Sequence, residues 1–122
     1  MKSKQLNHVK GNCHEQLAVE YLKKQGFHVI DCNFTSRHGE IDIIGQHGDY
    51  LVFVEVKYRH NQSYGLPMEA VSFAKQKQIC QTCRFYCYTH GISEATPIRF
   101  DVISILDKQI TWIPNAFSYC LS

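Results

Sequence analysis

The fold of this chain is decided by residues 39–57, where Gly39-Glu40-Ile41-Asp42 is followed, after a short turn, by Phe53-Val54-Glu55-Val56-Lys57. Both segments contain the β-branched and aromatic residues that are typical of strands, and strands of this kind are normally buried on at least one face. Carboxylate and ammonium groups are almost never buried unless they are paired or bind a metal. The charged residues within these strands therefore predict a site built on a sheet.

The hairpin between the two strands predicts which side chains meet. A turn at residues 46–49 would place Ile44 opposite Leu51. Because side chains alternate between the two faces of a sheet, one face would then carry Glu40, Asp42, Phe53, Glu55 and Lys57. In this register Asp42 and Glu55 are diagonal neighbours, close enough to hold one divalent cation between them.

Oxygen ligands alone favour Mg²⁺ or Mn²⁺ over zinc. Such a cation would polarise a phosphate and acidify a bound water. Lys57, which follows Glu55 on the same face, would orient that water or stabilise the developing charge. The alternative is a structural ion pair between the carboxylates and Lys57 or Arg59.

The order Asp42…Glu55-x-Lys57 resembles the signature of the PD-(D/E)XK nuclease superfamily, although Ile41 stands where the superfamily name has proline. Other motifs occur in order over residues 8–105: Gly11-x-x-x-Glu15-x-x-Ala18-x-x-Tyr21-Leu22, Gly26-Phe27, Asn33-Phe34, Tyr64-Gly65, Glu69-Ala70-Val71-x-x-x-Lys75 and Arg99-Phe100-Asp101-Val102. With this whole set the chain resembles the bacterial YraN family of endonuclease-like proteins.

The resemblance implies a metal-dependent endonuclease in which Asp42, Glu55 and Lys57 are catalytic. It also implies that Glu15 is a further metal ligand, similar to the helix-borne glutamate of archaeal Holliday-junction resolvases. From its spacing alone, the favoured interpretation of Glu15 is an exposed residue that pairs with a lysine. Glu40 is a candidate ligand as well, with pairing to Arg37 or Arg59 as its alternative.

Three basic residues are candidate nucleic-acid contacts: Arg59, Lys75 and Lys77. Contacts of this kind position a phosphate backbone and do not select a sequence. Lys75 follows the expected helix cap Ser72 by three positions, where a cation is unfavourable because of the helix dipole. This placement indicates an anionic partner, and a solvated surface charge is the alternative for all three residues.

The remaining pattern predicts one domain over residues 1–122, with residues 1–7 flexible. The predicted helices run from about His8 to Gln25 and from Ser72 to about His90, and the predicted strands are Phe27–Cys32, Glu40–Ile44, Tyr50–Tyr58, Ile98–Leu106 and Ile110–Ile113, with a polar loop at Arg59–Pro67. Cys13, Leu17, Ala18, Tyr21 and Leu22 form the expected apolar stripe of the first helix. This order predicts an α/β fold, a mixed central sheet of about five strands flanked by helices, which is also the restriction-endonuclease-like core.

Six cysteines in a chain without a signal-peptide core are expected to stay reduced in the cytoplasm. Cys80, Cys83 and Cys87 fall on one helical face; packing in the core is the favoured interpretation, and metal binding is the alternative. No apolar run is long enough for a membrane span, and the net charge of +2 does not by itself indicate a nucleic-acid binder.

The expected function is Mg²⁺- or Mn²⁺-dependent hydrolysis of DNA. The resemblance to junction resolvases implies that the substrates are branched or single-stranded intermediates of repair or recombination. The alternatives are a non-catalytic nucleic-acid-binding module and an adaptor on the same frame. Enzymes that cut junctions are commonly two-fold dimers, so a homodimer is an open expectation.

Overall fold

The computed structural model describes residues 13–59 and 71–119. The elements in chain order are α1 (Cys13–Lys24), β1 (His28–Ser36), β2 (Gly39–His47), β3 (Tyr50–Arg59), α2 (Phe73–Thr89), β4 (Ile98–Leu106) and β5 (Gln109–Phe117). The predicted start of α1 at His8, the flexible residues 1–7 and the predicted loop residues 60–67 lie outside the described residues. The order of helices and strands is the predicted one.

The five strands form one mixed sheet in the order β1-β2-β3-β4-β5. Neighbouring strands are antiparallel except β3 and β4, which are parallel. A parallel pair needs a long crossover connection, and α2 lies within that connection. The predicted α/β class with a mixed sheet is confirmed, and the arrangement is consistent with an endonuclease-like core.

The helices pack on opposite faces of the sheet and create two apolar cores. On one face, Ala18 and Leu22 of α1 pack with Val54 and Ile103. On the other face, α2 packs against Phe53 and Phe100 with a set of buried residues that includes Ile79, Cys80, Cys83 and Tyr86. Cys80 and Cys83 are thus core residues, as the favoured interpretation expected. Among the described residues, the group able to hold a metal contains no cysteine.

The predicted apolar stripe of α1 is wrong at two positions. Cys13 is exposed and Leu17 is 44% exposed. The helix instead turns Glu15, Ala18 and Leu22 toward the sheet. These positions share one helical face, and Cys13 and Leu17, each two residues from Glu15, lie on the opposite side of the helix.

The predicted register of the β2–β3 hairpin is also wrong. Ile44 lies opposite Phe53 and His47 opposite Tyr50, a shift of two residues along β3. The loop is reduced to Gly48 and Asp49, with Gly48 at φ +61, which suits the first central position of a two-residue hairpin turn. Because the shift is two residues, Ile43 and Ile44 keep their predicted faces and only their partners change.

The predicted common face is wrong for Glu40 and Asp42: Ile41 packs with Phe53 on the α2 side, whereas Ile43 packs on the α1 side. Glu40 and Asp42, the neighbours of Ile41, therefore turn to the α1 side, where they meet Glu15.

Both edge strands are longer than predicted. β1 continues through a polar stretch to Ser36 and is paired with β2 there. β5 continues through Pro114, which an edge strand tolerates because it lacks a hydrogen-bonding neighbour on one side. The predicted cap of α2 is confirmed, since the Ser72 hydroxyl accepts a hydrogen bond from the Lys75 N–H at 3.1 Å. None of the described helices has the length and apolar character that crossing a membrane requires.

Candidate metal centre

The first element of the site is a group of three carboxylates from α1 and β2. Glu15, Glu40 and Asp42 each direct one oxygen so that the three oxygens lie within 4.8 Å of one another. Glu15 is only 7% exposed, whereas Asp42 is half-buried and Glu40 exposed. The interpretation of Glu15 as an exposed surface residue is therefore wrong, because its helix packs this position against the sheet.

Asp42 connects this acidic group to β3. Its Oδ2 accepts a hydrogen bond from the Val56 N–H at 2.7 Å. Backbone pairing between β2 and β3 runs from His47 and Tyr50 to Ile43 and Val54, so Asp42 lies one residue beyond the last partnered position. The carboxylate bonds a β3 amide just past the point where regular pairing ends.

Glu55 forms the second half of the site on β3. Its Oε2 lies 3.6 Å from Lys57 Nζ and 3.9 Å from Lys75 Nζ, and Glu55 itself is 6% exposed. The expected proximity of Glu55 and Lys57 is confirmed. The sequence pattern did not place Lys75, at the start of α2, beside Glu55. The negative charge of Glu55 compensates for the unfavourable position of the Lys75 ammonium near the helix N-terminus.

Burial raises the pKa of Glu55 to about 7, and repulsion from Asp42 adds to this effect. The charges of Lys75 and Lys57 act in the opposite direction and lower the pKa. Glu55 therefore changes its charge near neutral pH, the range in which a carboxyl group can exchange protons with a substrate or a water.

Burial also raises the pKa of Glu15 to about 8, with further contributions from a hydrogen bond to Asp42 and from its charge. A hydrogen bond from Asn33 works against this rise. Carboxyl groups so close together cannot all be ionised without a compensating cation. The site therefore holds protons at neutral pH, which a bound cation would displace.

The residues present fit a small divalent cation. All candidate donors are carboxylate oxygens, the ligand type that Mg²⁺ and Mn²⁺ prefer. The three carboxylate oxygens lie within 4.8 Å of one another, so Glu15, Glu40 and Asp42 could together hold one such ion.

Asn33 is a residue of the site to which the sequence analysis assigned no role. In the β1–β2 register, Cys32 pairs with Ile43 and Phe34 with Ile41, so Asn33 lies opposite Asp42. Its φ of +55 is unusual within a strand, and asparagine tolerates this region better than most residues. Phe34 consequently packs on Tyr86 of α2, at 5.1 Å between ring centroids, while the Asn33 side chain reaches Glu15 on the side of α1. The Asn33-Phe34 motif was the available signal.

The comparison with protein families adds an identity to this geometry. The model described as "Uncharacterised protein family UPF0102" matches residues 14–105 of the chain. The chain belongs to the UPF0102 family. UPF0102 is the YraN-like group that the ordered motifs indicated.

Individual UPF0102 proteins are similar over most of their length. The UPF0102 protein of Lachnoclostridium phytofermentans is 44% identical over 109 residues, covering 89% of this chain and 92% of its own length. Those of Colwellia psychrerythraea and Legionella pneumophila are also 44% identical; each match covers 88% of this chain, and 88% and 93% of the relative. The region matched by the UPF0102 model includes Lys57 and Lys75. It also includes the four carboxylates that we call the acidic centre: Glu15, Glu40, Asp42 and Glu55.

Two other predicted contacts of this UPF0102 protein are at the end of β3 and in the first half of α2. Arg59 ends β3, and four residues of strand separate it from Glu55 by about 13 Å along the backbone. Lys77 lies over the Phe73 ring, with Nζ 5.7 Å from the ring centroid. Their role as phosphate contacts stays a prediction.

Asp101, by contrast, has a structural environment. It is 1% exposed, and its carboxylate accepts hydrogen bonds from the Arg99 side chain at 2.8 and 2.9 Å. The indole N–H of Trp112 and the backbone N–H of Asn115 donate to it at 2.9 Å each. These bonds occupy its acceptor positions and tie β4 to β5, so Asp101 has a structural role.

Proposed function

We propose that this UPF0102 protein is a Mg²⁺- or Mn²⁺-dependent endonuclease of the PD-(D/E)XK type that hydrolyses DNA phosphodiester bonds. The observation that supports the proposal is the convergence of Glu15, Glu40 and Asp42 with the Glu55–Lys57 pair. A carboxylate group beside a positioned ammonium is what metal-assisted phosphoryl chemistry requires.

Glu15, Glu40, Asp42 and Glu55 would hold the cation. When bound, the cation would supply Lewis-acid polarisation of the phosphate and acidification of a water. Lys57 Nζ, 3.6 Å from Glu55 Oε2, is placed to orient a water and to stabilise negative charge that develops on the phosphate oxygens. Lys75 Nζ, 3.9 Å from the same oxygen, offers a second cation to the scissile phosphate.

We propose DNA with single-stranded or branched character as the substrate, on the resemblance to junction-resolving enzymes. The alternative, a binding module without activity, is favoured by one observation. The ion pairs of Glu55 with Lys57 and Lys75 already compensate part of the acidic charge. Full compensation would make a cation unnecessary.

The test is a cleavage assay in Mg²⁺ or Mn²⁺ with single-stranded, duplex, flapped and four-way-junction DNA. We expect the native protein to cut at least one of them and Lys57→Ala to lose about 10²–10³-fold in rate while remaining folded. Asp42→Asn is the matched control, since the amide oxygen can still accept the Val56 hydrogen bond. Full activity of folded Lys57→Ala, or equal cutting by Asp42→Asn, would contradict the proposed mechanism.

Binding measurements separate the alternatives if no substrate is cut. Retained DNA binding that weakens steeply with salt would favour the binding module, because counterion release dominates contacts with phosphate. Binding to neither DNA nor metal would leave the adaptor function.

A further inference from the structure

The side of α2 that faces away from the sheet carries a regular set of residues. Ile79, Cys83 and Tyr86 point into the core. On the opposite side, at intervals of three or four residues, lie Phe73, Lys77, Gln81, Arg84 and Tyr88, which we call the outer stripe. Residues at this spacing share one helical face.

The charge of α2 has one sign. Residues 73–89 include Lys75, Lys77 and Arg84 but no aspartate or glutamate. Lys75 is directed to Glu55, whereas Lys77 and Arg84 belong to the outer stripe. Cations near a helix N-terminus disfavour the helix, and the contact of Lys77 with the Phe73 ring offsets this only in part. The charge complements a polyanion.

The aromatic residues of the outer stripe present their rings to solvent. Tyr88 is 85% exposed and Phe73 is 61% exposed, so neither side chain contributes to a core. Beside Tyr88, a groove of about 370 Å³ is lined by His38, Gln81, Arg84, Phe85 and Tyr88. The described residues that line this groove include no carboxylate. Flat apolar rings that alternate with cations match the bases and phosphates of a single strand.

We propose that the outer stripe binds single-stranded DNA, with phosphates on Lys77 and Arg84 and bases on Phe73, Tyr88 and the adjoining groove. The inference deepens the proposed function and rests on it for the identity of the polyanion. From residue 73 to residue 88 the helix extends about 22 Å, a run of several nucleotides. Its first turn holds Lys75 against Glu55, so the stripe leads away from the acidic centre. Duplex DNA hides its base faces by stacking, and the stripe therefore selects single strands.

The test is fluorescence anisotropy with a labelled oligothymidylate of roughly 16 nucleotides, in EDTA so that no cleavage occurs. The variants are Lys77→Gln/Arg84→Gln and Tyr88→Ala. Lys24→Gln/Lys108→Gln is the matched control, because it removes two exposed charges outside α2. Tyr88 is so exposed that its substitution leaves the fold intact, which circular dichroism would verify.

We expect the double charge variant to lower the slope of log affinity against log salt by about 1.4, since a single strand loses about 0.7 per lost phosphate contact. Tyr88→Ala should weaken binding about tenfold, and the control should match the native protein. Equal effects of the control and the stripe variants would overturn the inference, as would equal affinity for a duplex of the same length. Competition by polyglutamate as strong as that by the oligonucleotide would identify an acidic protein as the occupant and also overturn it.

The cleavage assay keeps this inference separate from the proposed function. If the native protein cuts DNA and the stripe variants bind the oligonucleotide as tightly as the native protein does, the inference about the outer stripe is rejected and the proposed nuclease function is not. Stripe-dependent binding by a protein that never cuts would reject the nuclease function alone.

Discussion

The Asp42 carboxylate accepts a hydrogen bond from the Val56 N–H at 2.7 Å, just beyond the last backbone pair of β2 and β3. This bond fixes the acidic residue of β2 against the strand that carries Glu55 and Lys57. Asp42 thus joins two sets of side chains. One set comes from α1 and β2, the other from β3 and α2, so the acidic centre depends on how these four elements dock.

The stability of the metal-free protein should fall as the pH rises. Glu55 and Glu15 have pKa values of about 7 and about 8 in the folded protein, whereas the ordinary pKa of a glutamate side chain is 4.5. Folding therefore takes up protons between these limits, so the contribution of these two groups to the free energy of unfolding is greatest below about pH 4.5 and is lost as pH rises through 7 and 8. Each group contributes at most about 1.4 kcal/mol per pH unit.

Urea unfolding in EDTA from about pH 5 to 9 measures this decline. Glu15→Gln should flatten it, and Mn²⁺ should stabilise the native protein most at the alkaline end, where no protons need displacing. A native protein whose stability rises with pH in EDTA would contradict the predicted burial of protonated carboxyl groups.

Lys75→Gln should raise the pKa of Glu55 above about 7, because it removes one of the two ammonium groups that lower it. The acid limb of a pH–rate profile would move to higher pH, while Lys77→Gln, whose ammonium lies over Phe73, should leave the limb in place. An identical shift in both variants would assign the effect to the overall charge of α2.

Substitutions at Asn33 should separate its backbone conformation from its side chain. Asn33→Gly keeps access to φ +55 and removes the amide that reaches Glu15, so we expect a folded protein whose Mn²⁺ affinity is about 10- to 100-fold weaker. Asn33→Ala should lose the same affinity and also about 1–2 kcal/mol of stability, since alanine is strained in the left-handed region. Titration calorimetry and urea unfolding measure the two effects, and native-like Mn²⁺ affinity in Asn33→Gly would show that the amide does not position Glu15.

Asp101→Ala should destabilise the protein by about 3–5 kcal/mol, because the Arg99 guanidinium, 12% exposed, would be left without its carboxylate. Activity per folded molecule should not change. Glu20→Ala on the exposed side of α1 is the control and should alter stability by less than about 0.5 kcal/mol. Loss of activity in Asp101→Ala molecules shown to be folded would place Asp101 in the catalytic machinery.

Local chemistry made several parts of the fold predictable. The apolar run of Tyr50–Tyr58, the Ser72 cap and the extent of Ile98–Leu106 depend on residues near one another in sequence. The proximity of Glu55 and Lys57 follows from the two-residue period of one strand. These features were predicted because no distant contact decides them.

The sequence by itself determined the class of fold, the order of its elements and the family motifs that mark the acidic residues. Only the tertiary structure decided the hairpin register, the burial of Glu15, the approach of Lys75 to Glu55 and the role of Asn33 opposite Asp42. Periodicity fixes which face a side chain takes along one element. Which residue of another element it meets depends on how turns close and helices dock, and those are set by packing across the whole sheet.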